Sequence, residues 1–335
     1  MNSSSDTANW SFDKELPVVD LGAFTDGTEA ERRNIAGQVD DICRSIGFLV
    51  IDNHGVSHEA CESAWSMAKE FFELPLEKKL AINEVGCPRG YSPVAAEALS
   101  QTRGLVSAPD NKESFSCGPL VAPPEADSVR DFDFFYGPNI WPDEPAEFFQ
   151  AWSNYYRQME VLGMKIMGML AVALNLEEDY FVSFHRHALS ALRGNNYPAF
   201  DVRNCTDPRS GAHSDYGTLT ILKADPDVGG LDVQLPSGSW LSVTASPNTF
   251  IINLGDLMAR WTNDRWVSTL HRVALPEGVN NGLVPRRQSI PFFMHPDYDA
   301  IISAIPTCLA TGEKAKYKPV SAGEYLIKKY RSSLY

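Results

Sequence analysis

His213-Ser214-Asp215 sets an imidazole and a carboxylate two residues apart, and in extended backbone such residues project to the same side. One ring nitrogen and one carboxylate oxygen can therefore converge on a point. Alone the pair is a weak signal, because beside the turn at Pro208–Gly211 the same two side chains readily form a surface hydrogen bond. A third ligand must come from a distant strand. His271 is the best candidate, in Ser268-Thr269-Leu270-His271-Arg272-Val273 after another strand-like run. Two imidazoles and one carboxylate on one face leave three positions of a metal ion open, the arrangement with which non-haem Fe(II) takes a cosubstrate and O2. Zinc accepts such ligands too, so the three residues alone leave the metal undecided.

Arg287-Gln288-Ser289 repeats the two-residue spacing about one strand and a turn after His271. On a strand, Arg287 and Ser289 would enter one cavity, where guanidinium and hydroxyl make a clamp for a carboxylate. An Arg buried near a metal needs an anion, or its lost hydration goes uncompensated. The bland alternative is a surface Arg on an edge strand, which is the reading for Arg286 on the opposite face.

The elements that would position these residues are legible in outline. Leu16–Leu21 reads as an edge strand, Thr25 to about Ser45 as a helix ended by Gly47, and Phe48–Ile51 as a buried strand. Ser57 is a plausible cap for a second helix. Residues 86–145 are poorly periodic, with one possible strand at Glu113–Phe115, and loops of that length commonly serve as walls or lids. A long helix covers 146–176, and its methionines 159, 164, 167 and 169 fit core packing better than a soft-metal site. From 188 to 298 short apolar runs alternate with turns, the texture of an antiparallel barrel or double-sheet jelly roll. The expected organisation is a mobile tail at 1–15, an N-terminal region of helices and strands at 16–130, the support helix at 146–176, the β-core at 188–298 and a helical segment at 300–335. With no obvious linker, these should form one unit.

Composition bounds the partners. A net charge of -14 and a pI near 4.9 argue against nucleic acid and anionic membranes, and no run of 18 apolar residues could span a bilayer. The start of the chain lacks the basic and apolar segments of a secretory signal, and six scattered cysteines show no framework, so a cytoplasmic setting with reduced thiols is expected. A small-molecule substrate and a monomer or weak dimer fit these features.

Ordered motifs then point to a family. His213–Leu222 resembles the first metal motif of the 2-oxoglutarate- and Fe(II)-dependent dioxygenases of the isopenicillin N synthase-like group. Gly229-Gly230-Leu231, Asn253–Asp256, Trp261-Thr262-Asn263, His271-Arg272-Val273 and Arg287–Ser289 follow in the family's order. Arg193–Pro198 resembles its asparagine-tyrosine-tyrosine-proline segment, with Asn196 in place of the first Tyr. Leu16–Leu21, Gly47–Val56 and Phe71–Pro75 extend the likeness across nearly the whole chain.

The resemblance implies a distorted double-stranded β-helix, or jelly roll, flanked by helices. It implies Fe(II) on His213, Asp215 and His271, with 2-oxoglutarate held by Arg287, Ser289, Tyr197 and Asn195, and O2 as the oxidant. The outcome would be hydroxylation, desaturation, epoxidation or cyclisation of a small organic molecule, with release of succinate and CO2. Phe293 shares strand parity with Arg287 and is expected to line the substrate pocket; Phe115, Arg89 and Tyr91 are further substrate candidates from the irregular region. His295 is expected at the rim or surface, His185 and His187 as packing or capping residues, and His54 in a structural turn. Two other readings stand beside this one. An oxidase of the isopenicillin N synthase or aminocyclopropane oxidase type would use no 2-oxoglutarate, and a catalytically silent jelly roll would only bind a ligand.

Overall fold

The computed structural model describes residues 15–96, 110–124, 130–201, 203, 209–275 and 282–333. Val18–Asp20 forms β1, and the Asp20 carboxylate then accepts the Ala23 amide to start a short helix, Leu21–Asp26 (α1). That separate cap explains why the next helix, α2, runs from Glu29 to Ser45 and not from Thr25. Thr28 opens it with a capping box, its hydroxyl taking the Glu31 amide while the Glu31 carboxylate takes the Thr28 amide. A cap of this kind is worth about 1 kcal/mol. Gly47, at φ +62°, turns the chain into β2 (Phe48–Asp52), and a Cβ there would sit 2.3 Å from the Val267 carbonyl. Only glycine fits.

Ser57 caps α3 (His58–Glu73), followed by the short α4 (Leu76–Leu80), β3 (Gly90–Ser92), β4 (Glu113–Cys117) and α5 (Phe132–Phe135). Phe148–Ala173 is α6, which packs against α2 and α3. Trp152, Tyr155, Met159, Leu162 and Ile166 are all buried on it, each apolar side chain contributing roughly 1.5–3 kcal/mol. Met167 and Met169 are core residues as well, and no metal cluster other than His213, Asp215 and His271 is found among the described residues.

Strands then dominate: β5 (Ala191–Tyr197), β6 (Phe200–Asp201), β7 (Ser210–His213), β8 (Leu219–Ala224), β9 (Leu231–Gln234), β10 (Trp240–Val243) and β11 (Phe250–Leu254). After the helix α7 (Asp256–Trp261) come β12 (His271–Val273), β13 (Leu283–Val284), β14 (Arg287–Met294), β15 (Ile301–Ile302), β16 (Val320–Ser321) and the closing helix α8 (Ala322–Ser333). Of the turn expected at 208–211, Ser210 and Gly211 belong to β7, because Ser210 pairs with Val273 across the ladder; Pro208 lies outside the described residues.

One sheet has the order β1-β2-β11-β8-β14-β5-β4-β3 and a second the order β10-β9-β12-β7. Successive strands alternate between them: β7 lies in the small sheet, β8 in the large, β9 and β10 in the small, β11 in the large, β12 in the small and β14 in the large. That alternation makes the jelly roll, with α2, α3 and α6 packed around it. No described helix is long and apolar enough to cross a membrane.

Candidate active site

The three candidate ligands arrive from the small sheet. His213 ends β7 and His271 begins β12, and the two are register partners with ring centroids 4.4 Å apart. Each ring spends its Nδ1 on a main-chain carbonyl two residues upstream, Gly211 at 2.7 Å and Thr269 at 3.2 Å. A carbonyl can only accept, so Nδ1 carries the proton and Nε2 keeps its lone pair for a metal. Asp215 follows β7 directly. Its Oδ2 accepts from the Thr220 hydroxyl and from Asn253 Nδ2 at 2.6 Å, which leaves Oδ1, 3.7 Å from His271 Nε2, turned toward the histidines. One ligand atom from each of the three residues falls within 4.8 Å of the others, close enough for one ion.

The electrostatics favour that use. Burial, reinforced by the neighbouring His271, pulls His213 down to about 4, so the ring is neutral at pH 7. Burial alone would raise Asp215, yet the two histidines and the donors on Oδ2 outweigh it and hold the carboxylate below its ordinary range. Residues outside the triad fix its frame. Asp256 accepts from Ser214, Ser268 and Lys329, each at 2.8 Å, tying both ligand-bearing segments to α8. On the other side the buried Asp110 accepts from the Ser210 hydroxyl and the Gly211 amide, both at 3.1 Å, and from Lys112 at 2.7 Å. Gly211 is the residue whose carbonyl orients His213.

The large sheet supplies a second set. Arg287 pairs in register with Tyr197, and Ser289 with Asn195, across β14 and β5. All four line one cavity that also reaches His213, Asp215 and His271. The Arg287 guanidinium lies 5.1 Å over the Tyr197 ring and its Nε donates to the Gly229 carbonyl at 3.2 Å. Its Nη1 is buried without a partner, as is Asn195 Oδ1. A guanidinium only 2% exposed with an orphaned N–H demands an anion. A dicarboxylate bridging Arg287 and a metal on the triad fits this donor set. Asn196, by contrast, points to the opposite face and joins Glu113 and Arg286.

A neighbouring cavity opens on the other side of the triad. Arg193, His213, Asp215 and Phe293 line both, so the ligand cluster sits where the two meet. Phe293 thus lines both cavities, on the same strand face as Arg287 and Ser289. His295 is not at a rim: it is 2% exposed, lines this second cavity and faces Tyr330 of α8, Nε2 to hydroxyl at 3.1 Å. Gly217 allows that approach, since a Cβ there would collide with His295 Nδ1 at 2.1 Å. Phe115 and Tyr91 are corrections of another kind. Phe115 is fully buried against Phe148 and Trp152, and Tyr91 donates to the core carboxylate of Glu113; neither lines either cavity. Irregular sequence concealed β3, which carries Tyr91, while Phe115 lies on β4, the strand expected at Glu113–Phe115, which runs on to Cys117. Arg89 does line the second cavity, but its guanidinium is committed to the carbonyls of Asp133, Phe134 and Pro138, so it braces the wall.

Sequence reasoning missed Arg193, Tyr330, Lys112 and Asp256 as residues of the site. Arg193 was within reach, because it shares two-residue parity with Asn195 and Tyr197. His185 packs as expected, its Nδ1 donating to the Phe181 carbonyl at 2.9 Å, and His54 holds its turn through Asn248 and Val56.

Comparison with known proteins agrees with this geometry. Residues 16–144 match the N-terminal family described as non-haem dioxygenase in morphine synthesis, and residues 190–296 match the 2OG-Fe(II) oxygenase superfamily. The chain is 31% identical over 331 residues to the 2-oxoglutarate-Fe(II) type oxidoreductase hxnY of Emericella nidulans, covering 95% of this chain and 90% of that protein. It is 32% identical over 330 residues to the rice homoarginine-6-hydroxylase 2-ODD-233, covering 94% and 96%. Among solved structures, Neurospora crassa T7H in complex with alpha-KG and thymine superposes with a TM-score of 0.85 at 30% identity, over 96% of this chain and 98% of that one. With the two matched regions, the jelly roll and relatives of this identity along nearly its full length, the chain belongs to the 2-oxoglutarate- and Fe(II)-dependent dioxygenases, enzymes that use Fe(II), 2-oxoglutarate and O2 to oxidise small molecules.

Proposed function

We propose that this enzyme holds Fe(II) through His213 Nε2, Asp215 Oδ1 and His271 Nε2, and takes 2-oxoglutarate in the cavity that ends at Arg287 and Ser289. When bound, iron and cosubstrate together supply the oxidising chemistry that converts O2 and 2-oxoglutarate to succinate and CO2 while the substrate is oxidised. The protein's own residues orient and exclude. Arg287 and Ser289 bind the distal carboxylate, Tyr197 stacks under the guanidinium, and Asn195 offers its side-chain amide nearer the metal. Thr220 and Asn253 keep Asp215 Oδ1 turned to the ion. The carrying observation is that three ligand atoms converge on one end of a cavity whose other end has a buried, unsatisfied guanidinium.

The substrate reading follows from the second cavity. Phe135, Leu189, Phe293 and Tyr330 make it mostly apolar, with Arg193 as a cation near the metal. We read the substrate as a compact organic molecule, of the secondary-metabolite kind, with an aromatic or aliphatic body and an acidic or carbonyl group for Arg193. One relative is named for homoarginine and one solved relative holds thymine, both compact polar molecules. Five described cysteines are free, in keeping with a cytoplasmic enzyme. Binding coupling tests the assignment. Under anaerobic conditions Fe(II) should bind the protein tightly, and 2-oxoglutarate should tighten it further, because the residues that would hold the ion and Arg287, which would hold the oxoacid, line one cavity. Independent binding of the two would oppose this reading.

A further inference from the structure

We propose that Arg209 is a second cation at the distal-carboxylate end of the cosubstrate site, and that it makes the site discriminate dicarboxylate from monocarboxylate oxoacids. This rests on the reading above that the cavity takes 2-oxoglutarate.

Arg209 precedes β7 and is fully buried, one of the largest side chains with no exposure at all. It sits at the corner where Arg287 begins β14. Its Nη2 donates to the carbonyl of Pro285, two residues before Arg287, and its guanidinium lies 5.6 Å from the ring of Phe200, three residues after Tyr197. Arg287 is near enough to make a second positive charge costly there. Burial chiefly, and the Arg287 charge next, pull Arg209 down to about 10, while Tyr197 and Asp225 act in the other direction. Nε and Nη1 of Arg209 and Nη1 of Arg287 are all buried without a hydrogen-bond partner.

Two adjacent guanidiniums therefore present three orphaned N–H groups. Asp225 is the carboxylate facing Arg209 among the described residues, and it is already engaged by the amides of Asp227, Val228 and Gln288. Two cations against one anion leave the corner with one unbalanced positive charge, and a ligand carboxylate supplies the missing negative charge. A lone buried ion costs several kcal/mol, so a fold has little reason to bury the second guanidinium here for packing alone. Arg287 and Ser289 make the direct clamp. Arg209 does not line the cavity and adds its field from behind Arg287.

A pair of ligands that differ only at the distal end isolates the effect: 2-oxoglutarate, and 2-oxopentanoate, which carries a methyl group in place of the distal carboxylate. Their affinities for full-length protein loaded anaerobically with Fe(II) are measured by calorimetry for wild type and for Arg209→Gln and Arg209→Lys. Arg209→Gln should weaken 2-oxoglutarate roughly ten-fold or more and leave 2-oxopentanoate within about two-fold. Arg209→Lys, which keeps the charge and should fold if Gln does not, should recover part of the loss. Equal weakening of both ligands would reduce Arg209 to a brace for the Pro285 turn and overturn the proposal, as would no weakening of either. Wild type with no preference for 2-oxoglutarate over 2-oxopentanoate would overturn the cosubstrate reading itself.

Discussion

His213 and His271 face each other as register partners across β7 and β12, so the β-ladder itself sets the distance between two of the proposed metal ligands. Asp215, two residues beyond the strand end, has no such ladder. Its orientation comes from side chains instead, Thr220 on β8 and Asn253 on β11, both in the opposite sheet. The proposed metal centre is thus a joint between the two sheets.

Asn253→Ala removes one of the two donors on Asp215 Oδ2. It should weaken Fe(II) binding by about 10–100-fold while the fold survives, since such outer partners orient the ligand without building the core. Equilibrium dialysis of Fe(II) under nitrogen checks this. Affinity unchanged from wild type would show that Thr220 alone fixes the carboxylate.

Arg287→Gln deletes the charge that the buried cavity offers an anion. The KM for 2-oxoglutarate should rise by roughly 100-fold, with a smaller change in kcat at saturation. Arg287→Lys should fall between, because a point charge cannot reproduce the guanidinium fork over Tyr197. Steady-state kinetics with the cosubstrate varied gives both numbers.

Phe115 and Phe293 should separate by kind of damage. Phe115→Ala opens a cavity among Phe71, Phe148 and Trp152 and should cost about 3–5 kcal/mol of stability. Phe293→Ala, at the junction of the two cavities, should instead raise the substrate KM and increase succinate formed without substrate oxidation. Urea denaturation and product ratios distinguish them.

Acid should weaken the fold through two histidines outside the metal set. Burial holds both His185 and His295 near pKa 4, against about 6.5 in the unfolded chain. Between those values the unfolded chain binds protons that the fold refuses, so stability falls as pH drops from about 6.5 toward 4. From pH 7.5 to pH 5 each should cost on the order of 2 kcal/mol, and the two together about 4 kcal/mol. His185→Gln should flatten the slope of urea midpoint against pH in that window; parallel slopes would assign the acid loss to other groups.

Much of this site was readable because strand parity carries it. Arg287, Ser289 and Phe293 follow from alternation along one strand, and the two-residue spacing pairs His213 with Asp215, whereas Asn195 and Tyr197 came from the resemblance of their segment to a family motif. What stayed hidden depends on contacts between distant segments. Nothing near Tyr330 announces that α8 folds back to meet His295, and nothing near Asp110 tells that its carboxylate supports Gly211. Arg209 looks like an ordinary charged residue beside a turn until burial and the closeness of Arg287 appear. In the irregular stretch before α6, weak periodicity hid β3; β4 was legible at Glu113–Phe115, but the packing of its side chains was not, and the core residue Phe115 passed for a pocket wall.

An iron held by His213, Asp215 and His271 and working with 2-oxoglutarate should show itself directly in turnover. Purified enzyme given Fe(II), ascorbate, O2 and 2-oxoglutarate should release succinate, slowly when no substrate is present, and His213→Ala should abolish that release. Turnover undiminished in His213→Ala, or no succinate from wild type across a broad panel of small molecules, would contradict the account.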